Sequence, residues 1–317
     1  MIVPSSGEIP QLQMLARQET GRNQVRLCVN SCALNFADLL MVKGTYQDMP
    51  AYPFTAGMEV SGEVQEIGAD VLNFQPGDSV ISFCGFGGLA KEIVIDAPRC
   101  FRRPAHVDPV VGSVLPIAYG TSHLALKRRA RLQSGERLVV LGAGGGVGLT
   151  AVEIGAKLGA EVTAVARGAE KLALAKAAGA KIVIDPNETT DLRHAILNDG
   201  PTHVIYDAVG GTLGDAALRT LGPEGRHLLI GFASGDLPQL RPNHMLVKNV
   251  SVIGFNLSGY MMFGRDHLDD SLAELMDWYK DGHISPHISH VLPLKRTMDG
   301  LDMLRQRVAT GKIVITP

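Results

Sequence analysis

The residues best suited to bind a charged ligand lie in a glycine-dense turn between a β-prone run and a helical stretch. The turn comprises Gly142, Ala143, Gly144, Gly145, Gly146, Val147 and Gly148. Glycines let the backbone approach a pyrophosphate, and the N-terminus of the following helix supplies free N–H groups and a partial positive charge. A second β-prone run at residues 161–166 completes a strand, turn, helix and strand. We therefore predict a dinucleotide-binding unit rather than a tight turn beneath a buried helix, although Ala143 departs from the strict G-x-G-x-x-G pattern.

The charges after the second β-prone run distinguish the two nicotinamide dinucleotides. An acidic residue at this point, roughly 20 residues after the glycines, accepts hydrogen bonds from the ribose 2′-OH of NAD. Here Arg167 follows the run, and Lys171 lies one turn into the next helical stretch. Two cations and no carboxylate favour a 2′-phosphate, so we predict NADP(H) as the cofactor. The alternative is that both are solvated surface charges.

Length and composition predict a globular protein of two domains. The chain has 317 residues, is 45% hydrophobic and 20% charged, and carries a formal net charge of −2. This balance provides no field to recruit nucleic acid or an anionic membrane. Its four cysteines, Cys28, Cys32, Cys84 and Cys100, are too few and too scattered for a disulfide framework, and we expect reduced packing residues. The first residues lack the features of a signal peptide, and we expect a cytoplasmic protein.

Two kinds of pattern divide the chain. Residues 24–98 are β-rich, with a short helix expected from about Asn35, whereas helices and buried strands alternate from about Tyr119 onwards. Six β-prone runs in this second part predict a doubly wound parallel sheet, with residues 251–255 as its edge strand; the runs are 138–141, 162–166, 182–184, 203–206, 227–230 and 251–255. We predict an α/β protein with a Rossmann domain at 119–259, inserted into a catalytic domain formed by 1–118 and 260–317. The cleft between them is the expected active site.

Short motifs from about residue 24 to the end occur in the order found in a known family. They lie at residues 35–40, 43–46, 57–68, 76–78, 143–148, 207–211, 230–235 and 309–312. In them the chain resembles the medium-chain dehydrogenase/reductase superfamily, and within it the zinc-independent NADPH:quinone oxidoreductase (zeta-crystallin-like) family. The resemblance implies that the β-rich domain is GroES-like and that the protein is a homodimer, for which an apolar edge strand at residues 251–255 offers a surface.

The residues at the family's metal positions argue against zinc. Zinc-dependent alcohol dehydrogenases of the superfamily have a cysteine in place of Asn35 and a histidine in place of Met58. A carboxamide and a thioether are poor zinc ligands beside thiolate and imidazole. His283, His287 and His290 are interpreted as packing residues, since Pro286 prevents a regular helix from aligning them. We predict no metal site.

With NADPH and no metal, the accessible chemistry is hydride transfer to an acceptor that carries its own electron sink, such as a quinone or an α,β-unsaturated carbonyl. Tyr46 is the leading catalytic candidate, because its phenol can donate a hydrogen bond or proton to a growing oxyanion; the alternative is that it only lines the cleft. Asn35 is the second candidate, through an amide that orients a carbonyl, with helix N-capping as its alternative. Phe36, Tyr52 and Phe255 are expected to contact the substrate.

The resemblance implies further cofactor contacts. Thr121, Phe232, Phe255 and Asn256 are expected near the nicotinamide, and Arg307 and Lys312 near the phosphates. The alternatives are strand core for the two phenylalanines and surface charge for the two cations. Pro186 replaces the tyrosine that the family usually has near the adenosine phosphate.

Three functions remain open from the sequence. The first is an NADPH-dependent quinone reductase acting on a small-molecule substrate. The second is an NADPH-dependent reductase of enones or enoyl thioesters, which Tyr46 and the apolar Leu40 support. The third is a non-catalytic NADPH-binding protein. Nucleic acid is not an expected partner, because the basic run at residues 127–131 lacks aromatic neighbours and is placed to cap a helix.

Overall fold

The computed structural model describes all residues from Met1 to Pro317, which form two compact units. One, the split unit, comprises Met1–Ile117 and Leu272–Pro317; the other, the central unit, comprises Ala118–Ser271. The first boundary lies one residue from the predicted one, but the second falls at 271 rather than 259. The later boundary follows from packing within the central unit, where the rings of Tyr260 and Phe255 stack with centroids 5.6 Å apart.

The chain forms fifteen strands and eleven α-helices. The strands are β1 (Ile2–Val3), β2 (Gln24–Leu34), β3 (Phe54–Thr55), β4 (Glu59–Ile67), β5 (Ser79–Phe83), β6 (Glu92–Asp96), β7 (Cys100–Arg102), β8 (Arg137–Leu141), β9 (Glu161–Val165), β10 (Ile182–Ile184), β11 (Thr202–Asp207), β12 (Leu221–Leu229), β13 (Ser251–Gly254), β14 (Ile288–Pro293) and β15 (Lys312–Thr316). The helices are α1 (Phe36–Lys43), α2 (Pro109–Gly112), α3 (Gly120–His123), α4 (Gly146–Lys157), α5 (Ala169–Ala177), α6 (Leu192–Leu197), α7 (Gly211–Leu218), α8 (Pro242–Leu246), α9 (Leu257–Phe263), α10 (Arg265–Lys280) and α11 (Thr297–Arg305).

The split unit is built on a mixed seven-stranded sheet. Its strand order is β14-β15-β2-β4-β5-β7, and β6 also pairs with β2. The long β2 buries Val25, Leu27 and Val29 on one face, as its alternating pattern predicts. The C-terminal β15 pairs with β2 in antiparallel register, so that Ile313 lies opposite Leu34. The last strand of the chain therefore lies beside the segment that leads into α1.

The central unit has the predicted parallel sheet. Its order, β10-β9-β8-β11-β12-β13, is that of a doubly wound fold, with the switch point between β8 and β11. β13 is the edge strand, as predicted. β12 begins at Leu221, earlier than the predicted run, and its pairing with β11 contains a register shift. The loops that follow β8, β11, β12 and β13 leave the same edge of this sheet, because the carboxyl ends of parallel strands lie together.

A run of short helices spans residues 109–129, on both sides of the point where the chain passes from the split unit to the central unit. It contains α2, α3 and two π-helical segments, Leu115–Tyr119 and Leu124–Arg129. Pro116, which has no N–H to donate, lies in the first π segment. The basic residues 127–129 lie in the last turn of the second, as expected for a helix C-terminus. No helix in the structure combines the length and apolar character needed to span a membrane.

All four cysteines are free thiols. Cys32, Cys84 and Cys100 are buried, which confirms the predicted packing role. The prediction was wrong for Cys28, which is exposed because it lies at an outward position of β2.

Candidate active site

The glycine turn leads directly from β8 into α4. Gly142 has a φ of 76°, a left-handed conformation that favours glycine, and Gly145 is the N-cap of α4. A Cβ on Gly148 would collide with the carbonyl oxygen of Gly142. The first bond of the helix runs from Leu149 N to Gly145 O, at 2.8 Å. The N–H groups of the first helical turn are therefore available to an anion, and this cradle fits a pyrophosphate.

Of the two predicted basic residues, Lys171 packs on the turn and Arg167 follows the neighbouring strand β9. A Cβ on Gly144 would lie 2.6 Å from the Cβ of Lys171, so the stem of Lys171 covers the glycine backbone. Arg167 follows β9 closely and is exposed. Asp185, which the sequence analysis missed, accepts hydrogen bonds from Gly168 N at 2.7 Å and Asn187 N at 2.8 Å. These N–H groups, and to a smaller extent the charge of Arg167, hold the pKa of Asp185 below its usual value. The Asp-Pro-Asn sequence after β10 is a turn signal that could have indicated this carboxylate.

The residues predicted near the nicotinamide follow strands of the same sheet. Phe232 comes after β12 and is 40% exposed. Phe255 comes after β13, and its ring stacks on Tyr260. Asn256 is the N-cap of α9, and its Oδ1 accepts hydrogen bonds from Ser258 N at 3.0 Å and Ser258 Oγ at 2.8 Å. The carboxamide of Asn256 therefore has a capping role in this structure, besides the predicted cofactor contact.

A buried hydroxyl network lies beside Thr121, in α3. Ser122 Oγ lies 2.7 Å from Thr150 Oγ1 and 2.9 Å from Tyr206 OH, and it donates to Val147 O at 2.9 Å. Burial raises the pKa of Tyr206. The network joins α3, α4 and β11, and it fixes the backbone next to Thr121 relative to the glycine turn. Sequence reasoning missed Ser122, since a lone serine in a helical run gives no signal.

In the split unit, Lys312 is not placed as predicted. The residue is 4% exposed, and its ammonium group donates to Asn35 Oδ1 at 2.6 Å and to Glu59 Oε1 at 2.9 Å. A third bond, of 2.8 Å, reaches Leu34 O. All three N–H groups of the ammonium are thus used inside the split unit. This corrects the expectation that Lys312 faces cofactor phosphates.

Asn35 belongs to the same cluster. Its Nδ2 donates to Glu59 Oε1 at 2.9 Å, and the other oxygen of Glu59 accepts from Ile117 N at 2.8 Å. Both ends of the Asn35 carboxamide are occupied, so the expected contact with a substrate carbonyl is not supported by this geometry. Asn35 occupies the N-cap position of α1, where its backbone carbonyl accepts from Asp38 N at 3.0 Å, while its carboxamide bonds to Lys312 and Glu59. We call Asn35, Asp38, Glu59 and Lys312 the buried charge cluster.

Asp38 completes the cluster from the first turn of α1. Its Oδ2 accepts from Asn35 N at 2.8 Å, whereas its Oδ1 is buried with no hydrogen-bond partner. Burial raises the pKa of Asp38 to about 7, against the N–H groups of Asn35 and Gly57 and the charge of Lys312, which lower it. Its neighbourhood therefore favours the protonated acid.

The predicted aromatic residues lie around α1. Tyr46 is half-buried, and burial, followed by the charges of Asp48 and Asp38, raises its pKa. Its phenol thus stays protonated at neutral pH, as a proton donor must be. Tyr52 OH donates to Met41 O at 3.4 Å, and its ring centroid lies 5.3 Å from that of Phe54. Phe36, in the first turn of α1, is 38% exposed.

The remaining predictions concern Arg307 and metals. Arg307 is exposed and has a φ of 60°, just after α11. No group of three or more histidine, cysteine, aspartate or glutamate side chains is arranged to hold a metal ion. His287 Nε2 lies 3.1 Å from Thr310 Oγ1, which is consistent with the packing role proposed for the histidines.

Known protein families match stretches of both units of the chain. The family described as "Alcohol dehydrogenase GroES-like domain" matches residues 21–105, and the family described as "Zinc-binding dehydrogenase" matches residues 146–278. Quinone oxidoreductase-like protein 2 of Bos taurus is 36% identical over 298 residues, which cover 93% of this chain and 85% of the relative. Its homolog from Nematostella vectensis is 36% identical over 303 residues, which cover 94% of this chain and 83% of the relative. The structure of the quinone oxidoreductase from Thermus thermophilus, solved also with NADPH, superposes with a TM-score of 0.87 at 28% identity, over 100% of this chain and 99% of the other.

A GroES-like unit together with a doubly wound unit that carries a glycine turn defines an oxidoreductase of the medium-chain dehydrogenase/reductase superfamily with an NAD(P)-type cofactor. Within that superfamily, the chain belongs to the quinone oxidoreductase (zeta-crystallin-like) family.

Proposed function

We propose that this protein transfers a hydride from NADPH to a quinone or a related conjugated carbonyl. The observation that carries the proposal is the glycine turn with Lys171 packed over Gly144 and Arg167 close to the end of β9. The turn offers backbone N–H groups to the pyrophosphate, and the two cations suit the 2′-phosphate that separates NADPH from NADH. The NADPH complex of the Thermus relative supports the same choice. When bound, NADPH supplies the hydride.

The chain's own contribution to the chemistry is expected from Tyr46. Hydride addition to a conjugated carbonyl or quinone leaves negative charge on an oxygen, which a phenol can stabilise by a hydrogen bond or protonate. The raised pKa of Tyr46 keeps this proton in place at neutral pH. The Tyr46→Phe variant is expected to lower kcat about 100-fold, within the range for a general acid, while NADPH affinity changes little. Equal losses in kcat and NADPH affinity would instead indicate a structural role.

We propose that the reaction needs no zinc. Asn35 and Met58 stand where zinc-dependent members have a cysteine and a histidine, and Asn35 Oδ1 already accepts a hydrogen bond from the Lys312 ammonium. These two side chains offer neither thiolate nor imidazole. Elemental analysis of the purified, active protein is expected to find far less than one zinc per chain. Stoichiometric zinc that disappears together with activity on chelation would overturn this proposal.

The second candidate function is reduction of enones or enoyl thioesters. The observation that favours it is the apolar Leu40, half-buried in the same short helix as the acid Asp38. A panel of a benzoquinone, 9,10-phenanthrenequinone, a simple enone and crotonyl-CoA separates the two, with oxidation of NADPH and NADH followed in parallel. Turnover of quinones alone supports the first function, and turnover of enoyl substrates alone supports the second. Tight NADPH binding without turnover of any compound supports a non-catalytic role.

We also propose a homodimer that forms along β13. This strand is one of the two edges of the central sheet. In the helix α9 that follows, Met262 is 85% exposed and Phe263 is 73% exposed. An unpaired edge beside exposed apolar side chains invites pairing with a second copy. Sedimentation is expected to give twice the chain mass, and a Val252→Pro variant at the edge is expected to shift it to the monomer. A concentration-independent monomer in the unmodified protein would exclude the proposal.

A further inference from the structure

A fully buried aspartate–histidine pair lies in the central sheet, apart from the residues discussed so far. Asp207 is the last residue of β11 and His227 lies in the adjacent β12; neither side chain is exposed. His227 Nε2 lies 3.0 Å from Asp207 Oδ2. The other ring nitrogen, Nδ1, is buried with no hydrogen-bond partner. The geometry fits an Nε2–H that donates to the carboxylate, because a proton on Nδ1 would be a buried donor without an acceptor.

The second oxygen of Asp207 holds the loop that follows β11. Its Oδ1 accepts hydrogen bonds from Val209 N at 2.9 Å and Gly210 N at 2.8 Å. On the far side of the loop, Ser234 donates to Val209 O through its Oγ at 2.7 Å and its N at 2.9 Å. Val209 is thus fixed through both its N–H and its carbonyl group. We call residues 208–211 the Gly210 loop.

The Gly210 loop in turn positions a predicted cofactor residue. Gly210 has a φ of 70°, and a Cβ on it would lie 3.0 Å from Phe232 Cδ1. The loop therefore forms the surface on which the Phe232 ring rests. It leaves the same edge of the sheet as the glycine turn, since β11 is the immediate neighbour of β8. The loop is thus in contact with Phe232, one of the residues expected near the nicotinamide.

His227 supplies the hydrogen-bond donor that Oδ2 of the buried Asp207 needs. A buried carboxylate needs hydrogen-bond donors on both oxygens, and an unpaired buried nitrogen such as Nδ1 costs stability that an apolar residue would avoid. The Oδ2 side of Asp207 is closed by helix α7, because a Cβ on Gly214 would lie 2.5 Å from Oδ2. The imidazole is the only side-chain donor to Oδ2 in the structure. His227 therefore holds Oδ2 of Asp207 in place, so that Oδ1 faces the loop amides.

We propose that His227 and Asp207 are positioning residues that fix the Gly210 loop for cofactor binding. The part that concerns the cofactor rests on the proposed function. Loss of the Nε2–H is expected to weaken NADPH binding about tenfold, with a smaller change in kcat, since neither residue is expected to touch the reacting atoms.

Three variants separate positioning from general destabilisation. His227→Leu removes the donor, and His227→Gln restores an N–H at similar reach. The matched control is Thr202→Val at the opposite end of β11, where Thr202 Oγ1 lies 2.9 Å from Thr220 Oγ1 in a similarly buried pair. We expect His227→Leu to raise the NADPH Kd about tenfold and His227→Gln to return it to within about threefold of wild type. Thr202→Val is expected to lower the Tm but to leave the Kd unchanged.

Hydrogen exchange tests the loop without the cofactor. In the NADPH-free protein, the amides of Val209 and Gly210 are expected to exchange at least about tenfold faster in His227→Leu than in wild type, and near the wild-type rate in Thr202→Val. If His227→Leu does not fold, Asp207→Ala, which removes the acceptor of both loop amides, must show the faster exchange instead. Unchanged exchange at both amides, or a His227→Gln variant as impaired as His227→Leu, overturns the inference. A wild-type protein that binds no NADPH refutes the proposed function, but the exchange rates still decide the positioning role.

Discussion

The glycine turn of the central unit and the buried charge cluster of the split unit both present polar groups, but by opposite means. In the turn the polar groups are backbone amides, and at Gly148 there is no room for a side chain. In the cluster they are side chains, and Lys312 joins Asn35 and Glu59 across 277 and 253 positions of sequence. The N–H groups of the turn can bind a ligand, whereas the polar groups of the cluster bond mainly to one another and to nearby backbone. We therefore expect the turn to bind the cofactor and the cluster to hold β2, β4 and β15 together.

The largest expected effect is a loss of unfolding free energy when the cation of the cluster is removed. Lys312→Met keeps the volume of the stem but leaves the buried carboxylate of Glu59 without its cation. Breaking a buried pair from one side costs about 3–5 kcal/mol of unfolding free energy. The matched control is Arg305→Met, which removes an exposed ion pair with Asp302 and is expected to cost less than about 1 kcal/mol. Urea unfolding measures both. If Lys312→Met instead weakened NADPH binding at unchanged stability, Lys312 would be a phosphate ligand and the two regions would not differ as described.

The next effect concerns the glycine turn. Gly148→Ala places a Cβ against Gly142 O, a backbone atom that cannot move without opening the turn. We expect NADPH binding to weaken by at least about 100-fold, or about 2.7 kcal/mol, with a lower Tm. Gly145→Ala is the contrasting variant, because its Cβ would meet Gly142 O at 3.5 Å, an ordinary contact, so the Tm should fall much less than in Gly148→Ala. Full NADPH affinity in Gly148→Ala would show that the turn does not hold the pyrophosphate.

The turn could be predicted from the sequence and the cluster could not, because the turn depends on neighbouring residues and the cluster on residues far apart in the chain. The glycine turn, the six parallel strands and the edge position of β13 follow from local patterns, because each needs only its own residues and their period. Lys312 was misassigned because its partners lie in and beside β2 and in β4, far away in sequence, and a lone lysine at the start of a strand carries no sign of burial. The Asp207–His227 pair was missed for the same reason, since only strand pairing brings β11 and β12 together.

A smaller effect tests the cofactor preference. Lys171→Met keeps the stem that covers Gly144 and removes only the charge. We expect the NADPH Kd to rise about tenfold, or about 1.4 kcal/mol, while the NADH Kd stays unchanged, since a charge-assisted bond to phosphate is lost only for NADPH. NADH serves as the internal control in the same variant. Parallel losses for both cofactors would place Lys171 at the shared pyrophosphate rather than at the 2′-phosphate.

The smallest effect is a pH dependence confined to the cluster. The pKa of Asp38 is raised to about 7 in the folded protein from an ordinary value of 3.8, so near neutral pH the folded state binds a proton that the unfolded state has released. Its contribution is fully present below about pH 4 and is lost as pH rises through 7. Between about pH 6 and 8 the unfolding free energy is expected to fall by about 1 kcal/mol from this group.

Asp38→Asn keeps an oxygen for the N–H of Asn35 and is expected to remove that fall. The glycine turn contains no titratable side chain, so Gly145→Ala should retain the wild-type pH profile. An unchanged fall in Asp38→Asn would assign the pH dependence to other groups and leave the cluster insensitive to pH.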